Sequence, residues 1–365
     1  MTDAQLKQPK HVMMMAAGTG GHVFPALAVA KELQQKGIAV SWLATPAGME
    51  NRLLKNHNIP IYQIDIQGVR GNGMVRKILA PFKILKATLS AMRYMKKLKV
   101  DAVAGFGGYV AGPGGLAARA LGIPVIVHEQ NAVAGFTNTQ LSRIAKVVCE
   151  AFPNTFPAQS KVVATGNPVR KEITEILNPS WRYQEREKAG QPLRILIVGG
   201  SLGARALNEC VPEALKQLNV PLNVFHQCGQ NNAEATQARY ADAPATLNAE
   251  VSPFIEDMAQ AYAEADLIIC RAGALTVTEI ATAGLAAVFV PLPSAVDDHQ
   301  TANAKFLADI NAAKICPQAQ MTPESLTALL QPLMNRQLLQ EMAVKARQQA
   351  QPDAAQHVAR LIQEL

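Results

Sequence analysis

Short apolar runs alternate along this chain with segments of helical spacing, and glycine-rich turns separate many of them. The run HVMMMAAG predicts a buried strand, and GTGGH follows it as a turn. FPALAVAKELQQKG then predicts a helix with Pro25 in its first turn and Gly37 at its end. IAVSWLAT predicts the next strand. The chain therefore begins with a predicted β-α-β unit whose first turn is rich in glycine.

The same pattern continues and then restarts in the second half. DAVAGFGGYVAGPGGLAARALG predicts strand, glycine turn and helix, and KVVATGNPVR predicts the last strand of a first domain. The polar segment WRYQEREKAGQP is interpreted as a linker, after which LRILIVGG, LNVFHQCG, DLIICRAG and AAVFVPLP predict strands separated by helices. This alternation indicates two α/β domains in tandem, each a doubly wound, Rossmann-like fold around a parallel sheet. We expect the first domain at 1–168 and the second at 169–347, with a C-terminal helix at 348–365 packing back on the first.

Composition limits the class of protein. The chain has 365 residues, of which 49% are hydrophobic, and this is too long for one ordinary core. The five cysteines lack C-x-x-C spacing and form no Cys/His cluster, so we expect reduced, mostly buried thiols and no metal site. The polar N-terminus does not resemble a signal peptide, and no apolar run reaches the roughly 18 residues of a spanning helix. A cytoplasmic protein that is soluble or attached to a surface is expected.

The net charge of +7 is concentrated in one segment. Residues 66–100 contain nine lysines and arginines and no acidic residue, whereas the rest of the chain holds 26 basic and 28 acidic residues. Such a local charge indicates a partner at that place. Within MVRKILAPFKILKATLSAMRYMKKLK, Pro81 predicts a short helix or loop before a longer helix.

Cations that alternate with apolar side chains are typical of a helix lying on an anionic membrane surface. Nucleic acid is the less favoured partner, because Phe82 and Tyr94 are the only aromatic rings in the segment. A core-packed amphipathic helix with a solvated basic face is the remaining alternative. The residues expected to contact the membrane are Arg76, Lys77, Ile78, Leu79, Phe82, Lys83, Leu85 and Lys86.

Glycine turns occupy equivalent positions in the two predicted domains. GTGGH and GGSLGA each let the backbone pass close to a ligand where a helix starts, which suits a phosphate. The chain lacks the G-x-x-x-x-G-K-[ST] motif of P-loop ATPases. The second strand of each domain, ending in WLAT or FHQCGQ, lacks the acidic residue that binds a dinucleotide ribose, so an NAD or FAD enzyme is disfavoured.

RAGALTVTEIATAG is a third candidate for ligand contact. Gly273 and Ala274 allow close approach at a helix start, and the carboxylate of Glu279 could accept both hydroxyls of a ribose. Alternatively, Glu279 only complements the dipole of the helix. The residues alone leave both interpretations open.

Seven motifs occur here in one order: GTGGHVFPALAVA, GFGGYVAGPGGLAA, HEQNAVAG, GNPVR, GGSLGARALN, RAGALTVTE and DDHQTANA. Together they resemble the MurG family of peptidoglycan glycosyltransferases over nearly the whole chain. The resemblance implies the GT-B fold, in which two Rossmann-like domains face each other across a cleft. It implies transfer of N-acetylglucosamine (GlcNAc) from UDP-GlcNAc to the C4 hydroxyl of the N-acetylmuramoyl (MurNAc) unit of lipid I. The anomeric centre would be inverted, and the products would be lipid II and UDP.

The family resemblance also implies partners and a location. It predicts a peripheral enzyme on the cytoplasmic face of the inner membrane, with UDP-GlcNAc and lipid I as substrates. Association with an anionic membrane surface and with other cell-wall synthesis proteins is expected, and nucleic acid is not. No cofactor and no metal are expected, because the chain has no D-x-D motif and the family stabilises the leaving group with helix N-termini and side chains.

A set of residues that hold UDP-GlcNAc follows from the same resemblance. In the first domain these are Thr19, Gly20, Gly21 and Asn131, and Arg170 lies at the domain junction near the leaving diphosphate. In the second domain they are Ser201, Ile255, Ala274, Leu275, Thr276, Val277, Thr278, Glu279, Gln300 and Asn303. Glu279 would accept ribose hydroxyls, Ile255 would hold uracil, and Ser201 would meet the pyrophosphate. Gln300 and Asn303 would bind sugar hydroxyls, because amides both donate and accept.

His22, at the end of the first glycine turn, is the candidate general base. Imidazole titrates near neutral pH and can therefore accept the proton of the acceptor hydroxyl. A hydrogen bond to a substrate, or packing at the helix start, is the alternative role, and Glu129 is a weaker candidate for the base. Three other functions stay open: another GT-B enzyme acting on a lipid or natural-product acceptor, a UDP-GlcNAc 2-epimerase, and a nucleotide-sugar binding protein without turnover.

Overall fold

The computed structural model of this chain describes residues 8–66, 74–200 and 203–365. Two units are formed, the first from Met1–Arg170 with Gln351–Leu365 and the second from Lys171–Ala350. Each unit is built on one parallel sheet, with helices between successive strands. The predicted α/β fold class is therefore confirmed.

The strands of the first unit are β1 His11–Ala16, β2 Ala39–Ala44, β3 Ile61–Gln63, β4 Ala102–Gly107, β5 Val125–Glu129, β6 Val147–Glu150 and β7 Val162–Ala164. They pair in the order β3-β2-β1-β4-β5-β6-β7, all in parallel. Val12 and Met14 of β1 pack into one core cluster, and Met13 and Met15 pack into another. This two-sided burial explains the unbroken apolar run HVMMMA, because both faces of the sheet are covered.

In the described part of the first unit, six helices lie between or after these strands. They are α1 Gly20–Gln35, α2 Glu50–Leu53, α3 Met74–Leu98, α4 Ala111–Ala120, α5 Phe136–Ser142 and, from the end of the chain, α15 Ala354–Gln363. Val358 and Ile362 of α15 share a core cluster with Val29 and Leu33 of α1. The last helix is therefore part of the core of the first unit.

The basic segment forms one helix, and the prediction that Pro81 would divide it is wrong. Helix α3 continues through Pro81 from Met74 to Leu98. A proline inside a helix removes one backbone hydrogen bond, at a cost of about 3 kcal/mol. Burial of Ala87, Ala91 and Met95 in the core, at four-residue spacing, offsets this loss along the following turns.

The second unit repeats the design. Its strands are β8 Leu193–Val198, β9 Leu222–Gln227, β10 Leu247–Ser252, β11 Leu267–Cys270, β12 Ala286–Phe289 and β13 Ala313–Ile315. They pair in parallel in the order β10-β9-β8-β11-β12-β13. The helices are α6 Lys171–Thr174, α7 Pro179–Lys188, α8 Arg205–Lys216, α9 Ala233–Ala238, α10 Met258–Glu264, α11 Ala274–Ala283, α12 His299–Ala308, α13 Pro323–Leu330 and α14 Arg336–Gln348.

The segment interpreted as a linker is instead helix α7, an integral part of the second unit. Tyr183 is fully buried, and the guanidinium of Arg182 donates hydrogen bonds to the carbonyls of Ala283 and Gly284. Those carbonyls belong to the end of α11, where backbone acceptors lack partners within the helix. The polar composition of the segment concealed this packing, because an arginine that satisfies helix-end carbonyls can be buried.

Candidate active site

In the first unit the strand order reverses between β1 and β4. Open α/β sheets bind their ligands at such a reversal. The turn after β1 has Gly18 at φ +99°, followed by Thr19 in an extended conformation as the N-cap of α1. Strand β4 ends at Gly107, where the next turn begins, and Gly107 and Gly108 have φ values of +108° and +79°. The two glycine turns meet at the carboxyl ends of neighbouring strands.

Glycines after β4 are needed for the placement of His22. A Cβ atom on Gly107 would lie 2.9 Å from Cε1 and Nδ1 of the His22 ring. A Cβ atom on Gly108 would lie 2.1 Å from the carbonyl oxygen of Ala17. Both contacts are too short, so the GFGG motif leaves room for the imidazole and lets the two turns approach each other.

His22 lies in the first turn of α1 and is half-buried. Its Nδ1 atom is 2.8 Å from Oε1 of Gln130, a fully buried residue just after β5. Gln130 also contacts the carbonyl oxygen and Nδ1 of His128 through its Nε2 atom. Sequence reasoning missed Gln130, although it stands inside the HEQN motif, because the contact spans 108 positions of the chain.

The carboxylate of Glu129 organises the loop after β5. It is buried and accepts hydrogen bonds from the backbone N–H and side-chain amide of Asn131, the backbone N–H of Gly135 and the side-chain amide of Asn138, at 2.9–3.2 Å. These four donors occupy both carboxylate oxygens within the loop itself. The geometry therefore favours a structural role for Glu129, and His22 is the better candidate for the base.

A second buried carboxylate supports the first glycine turn. Glu50 has no exposed surface and accepts hydrogen bonds from the backbone and hydroxyl of Thr45, at 2.9 and 3.0 Å. The backbone N–H of Gly18 donates to the same carboxylate at 3.4 Å. Glu50 was also missed from the sequence, where nothing distinguishes it from a surface acid.

Arg170 is the last residue of the longer of the two segments that form the first unit. Its guanidinium carbon lies 5.8 Å from the centre of the Phe24 ring, within the distance of a cation–π contact. Phe24 belongs to the first turns of α1, so this charge is held near the glycine turn that contains Thr19, Gly20 and Gly21.

In the second unit the strand order reverses between β8 and β11, and the turn after β11 leads into α11 with Gly273 as the N-cap. Gln300 accepts hydrogen bonds from the backbone N–H of Ala272 and Leu292, at 3.2 and 2.9 Å. The amide of the fully buried Asn303 donates to the carbonyl of Ala272 at 3.1 Å. Both side chains thus anchor the backbone before α11, a role that the sequence did not predict.

The first two turns of α11 carry the remaining predicted contacts. Leu275 and Thr276 are half-buried, whereas the buried members are Ala274, Val277, Thr278 and Glu279. Oε2 of Glu279 accepts a hydrogen bond from the hydroxyl of Tyr262, a fully buried residue of α10, at 3.1 Å. The hydroxyl of Thr278 donates back to the carbonyls of Ala274 and Leu275.

Gln227, at the end of β9, holds the other glycine turn of the second unit. Its Oε1 atom accepts a hydrogen bond from the backbone N–H of Gly200 at 3.1 Å. Its Nε2 atom donates to the carbonyls of Gly200 and Pro253, at 3.0 and 2.9 Å. Ile255, the predicted uracil contact, lies two residues after Pro253 and is buried. Ser201 lies outside the described residues.

Helix α3 exposes a basic and apolar surface, the α3 face, which consists of Phe82, Lys83, Leu85, Lys86 and Leu89. Phe82, Leu85 and Leu89 are 70%, 57% and 47% exposed. The predictions for Arg76, Lys77, Ile78 and Leu79 fall on side chains outside the described part of the chain. Among the residues that the structure describes, no helix has the length and hydropathy needed to cross a membrane.

Comparison with known proteins supplies the family. The glycosyltransferase family 28 N-terminal domain matches residues 12–149, and the glycosyltransferase family 28 C-terminal domain matches residues 194–358. A UDP-N-acetylglucosamine–N-acetylmuramyl-(pentapeptide) pyrophosphoryl-undecaprenol N-acetylglucosamine transferase of Acinetobacter baumannii strain AYE is 80% identical over 365 residues, which is 100% of both chains. The enzyme of that name from Aeromonas hydrophila is 52% identical over 96% of this chain and 95% of its own length.

Solved structures agree with this result. The crystal structure of Acinetobacter baumannii MurG is similar with a TM-score of 0.87 and 78% identity, and the match covers 98% of this chain and 100% of that one. The glycosyltransferase of kitacinnamycin is similar with a TM-score of 0.68 at 16% identity, over 96% of this chain and 99% of its own, which supports the fold alone. The two matched domains and their parallel sheets define a glycosyltransferase of the GT-B fold. Within that class the chain belongs to the MurG family of N-acetylglucosamine transferases.

Proposed function

We propose that this glycosyltransferase moves GlcNAc from UDP-GlcNAc to the C4 hydroxyl of MurNAc in lipid I, giving lipid II and UDP. The observation that carries the proposal is the 80% identity, over the full length of both chains, to an enzyme whose name describes this transfer. An imidazole held at the strand-order reversal of the first unit provides a base for such a reaction.

The donor is proposed to bind the second unit through the turns after β8 and β11. The N-terminus of α11, a ten-residue helix, offers backbone N–H groups to the pyrophosphate. Glu279 accepts the ribose hydroxyls in the orientation that Tyr262 gives it. Ile255 holds uracil, and Ser201 meets the pyrophosphate. Gln300 and Asn303 position this site through the backbone of Ala272.

Residues of the first unit complete the proposed donor contacts. The exposed Thr19 and the half-buried Gly20 and Gly21 present the start of α1, and Asn131 lies on the loop that Glu129 organises. The charge of Arg170 balances the leaving diphosphate. The N-terminus of α1 and the guanidinium of Arg170 both favour a negatively charged ligand.

The proposed chemical step is a single displacement. Nε2 of His22 takes the proton of the C4 hydroxyl while that oxygen forms a bond to C1 of GlcNAc. The bond between C1 and the β-phosphate oxygen breaks on the opposite side, and UDP leaves with the electron pair. The α-configured donor therefore gives a β-linked product.

Membrane attachment is proposed through the α3 face. Its phenylalanine and leucines would bury apolar surface among lipid tails, and its lysines would meet anionic headgroups. Such docking suits the cytoplasmic face of the inner membrane, where a lipid-linked acceptor is at hand. Other cell-wall synthesis proteins are further expected partners.

Release of UDP from UDP-GlcNAc and a lipid I analogue tests the proposal. His22→Ala should lower kcat by about 10²- to 10⁴-fold and change the KM for UDP-GlcNAc much less, because a base acts in the chemical step. His357 is a half-buried histidine of α15, so His357→Ala is the matched control and should retain activity. UDP release no faster than in the blank without acceptor would refute the transfer. Equal losses in kcat and donor affinity would assign His22 to binding instead.

A further inference from the structure

The geometry points to Gln130 as the positioning residue that fixes the tautomer of His22, with the proton on Nδ1 and the lone pair on Nε2. This inference rests on the proposed function, in which His22 is the base. A neutral imidazole can accept a proton only at the nitrogen that carries no hydrogen. Gln130 would therefore decide which ring nitrogen faces the acceptor hydroxyl.

The orientation of the Gln130 amide is set by a backbone carbonyl. Its Nε2 atom lies 3.0 Å from the carbonyl oxygen of His128, which can only accept a hydrogen bond. The reverse orientation would place two oxygens together in a fully buried position. The Oε1 atom must consequently be the one that faces His22.

The tautomer of His128, at the other end of this hydrogen-bond chain, is also determined. Nε2 of His128 lies 3.0 Å from the carbonyl oxygen of Gly166, so this nitrogen carries a hydrogen and donates. Nδ1 of His128 is then an acceptor, and it receives the second N–H of Gln130 at 3.1 Å. Burial lowers the pKa of His128 to about 4, which keeps this ring neutral at the pH of the cytoplasm.

These constraints leave one arrangement for His22. Oε1 of Gln130 accepts at 2.8 Å, so Nδ1 of His22 must donate and must carry the hydrogen. Within residues 8–66, 74–200 and 203–365, Nε2 of His22 has no hydrogen-bond partner. Its lone pair is therefore available for the proton of the acceptor. When the ring becomes an imidazolium, the bond to Gln130 remains and stabilises the charge.

The first test measures the tautomer of His22 in the full chain without substrates. Nitrogen-15 NMR of histidine-labelled protein distinguishes a protonated from an unprotonated ring nitrogen, and His22→Asn identifies the His22 signals by their loss. We expect hydrogen on Nδ1 in the wild type. Hydrogen on Nε2, the form that neutral histidine prefers in water, would overturn the inference without any variant of Gln130.

The second test removes and then restores the acceptor. Gln130→Met retains the size of the side chain but lacks Oε1, so we expect mixed tautomers and a kcat about 10- to 100-fold lower, with the KM for UDP-GlcNAc within twofold. Gln130→Glu keeps an oxygen facing His22, so it should retain the Nδ1–H form, although its second oxygen lies against the His128 carbonyl and should make this protein less stable than the wild type. Gln356→Met alters an exposed glutamine of α15 and serves as the control.

The outcomes are separable. A Gln130→Met protein whose tautomer is unchanged, or whose kcat equals that of Gln356→Met, would contradict the role of Gln130. If Gln130→Met fails to fold, the tautomer of His22 in the wild type still decides. A wild type that releases no UDP with the acceptor would refute the proposed function, whereas the NMR result would stand on its own.

Discussion

Tyr262 shows how single residues outside the predicted set shape the site. Its hydroxyl, fully buried on α10, donates to the Glu279 carboxylate at 3.1 Å. A buried carboxylate needs donors, because an unsatisfied charge in a protein interior is costly. If Glu279 binds the ribose hydroxyls, Tyr262 sets the direction in which the carboxylate presents its oxygens.

Tyr262→Phe should therefore weaken the binding of UDP-GlcNAc without slowing the chemical step. Loss of one hydrogen bond, worth about 1 kcal/mol, should raise the KM for UDP-GlcNAc about fivefold, and kcat should stay within twofold. Tyr240→Phe is a matched control, because it removes another buried hydroxyl of the same unit, 3.0 Å from Nδ1 of His226. Steady-state kinetics on both variants provide the measurement. If Tyr262→Phe has the same KM for UDP-GlcNAc as the wild type, Tyr262 does not contribute to donor binding.

At the scale of elements, the GFGG turn after β4 illustrates how a backbone turn can determine the placement of a side chain. Gly107 has φ +108°, and a Cβ atom there would lie 2.9 Å from the His22 ring. Gly122, after α4, also has positive φ, at +73°, but a Cβ atom there would meet nothing within 4 Å. Both glycines have a positive φ that would strain any residue with a Cβ atom, and they differ in their contact with His22.

Alanine substitutions at Gly107 and Gly122 separate the effect of backbone strain from the effect of moving the His22 ring. Gly107→Ala and Gly122→Ala should each reduce the free energy of unfolding by about 1–2 kcal/mol, because alanine disfavours positive φ. Gly107→Ala should in addition lower kcat by about 10-fold or more, since the ring must move from its place beside Gln130. Urea unfolding and UDP release measure the two effects. Equal kcat values in the two variants would show that the GFGG turn does not position His22.

The α3 face makes its own prediction about membranes. The double variant Phe82→Ser/Leu85→Ser should bind vesicles of phosphatidylglycerol and phosphatidylethanolamine about 10- to 100-fold more weakly, because two large apolar side chains no longer enter the lipid. Leu177→Ser/Trp181→Ser changes two similarly exposed apolar residues of the second unit and should bind normally. Vesicle sedimentation, together with UDP release on a water-soluble acceptor, gives the comparison. Identical losses in both double variants would contradict docking through α3.

The elements that the sequence predicted are those with local signals. Apolar runs and glycine turns identified the strands around both sites, since buried parallel strands need no distant information. Helix α7 was missed because its polar residues are satisfied by distant carbonyls, as Arg182 is by the end of α11. The supporting residues were missed for the same reason: Glu50, Gln130 and Gln227 act through contacts that only the fold brings together.

At the scale of the whole molecule, each unit buries one neutral histidine. Burial lowers the pKa of His128 in the first unit and of His226 in the second to about 4. In the unfolded chain both pKa values return to about 6.5, so below that pH the unfolded state binds more protons than the native state. Stability should consequently fall as the pH drops from 6.5 towards 4.

Each unit should lose about 2 kcal/mol of stability from its histidine between pH 7 and pH 5. Urea unfolding at the two pH values, followed by probes in each unit, measures the change. The variant His226→Asn should reduce the pH dependence of the second unit and leave that of the first. A first unit whose stability is constant between these pH values would contradict the burial of a neutral His128.

The most direct test of the central claim is the configuration of the new glycosidic bond. A single displacement by the MurNAc C4 hydroxyl, with His22 taking the proton, inverts the α-configured carbon of the donor. Proton NMR of the product formed from UDP-GlcNAc and a lipid I analogue should therefore show a β-linked GlcNAc on C4 of MurNAc. An α-linked product, or free GlcNAc released in its place, would contradict the account.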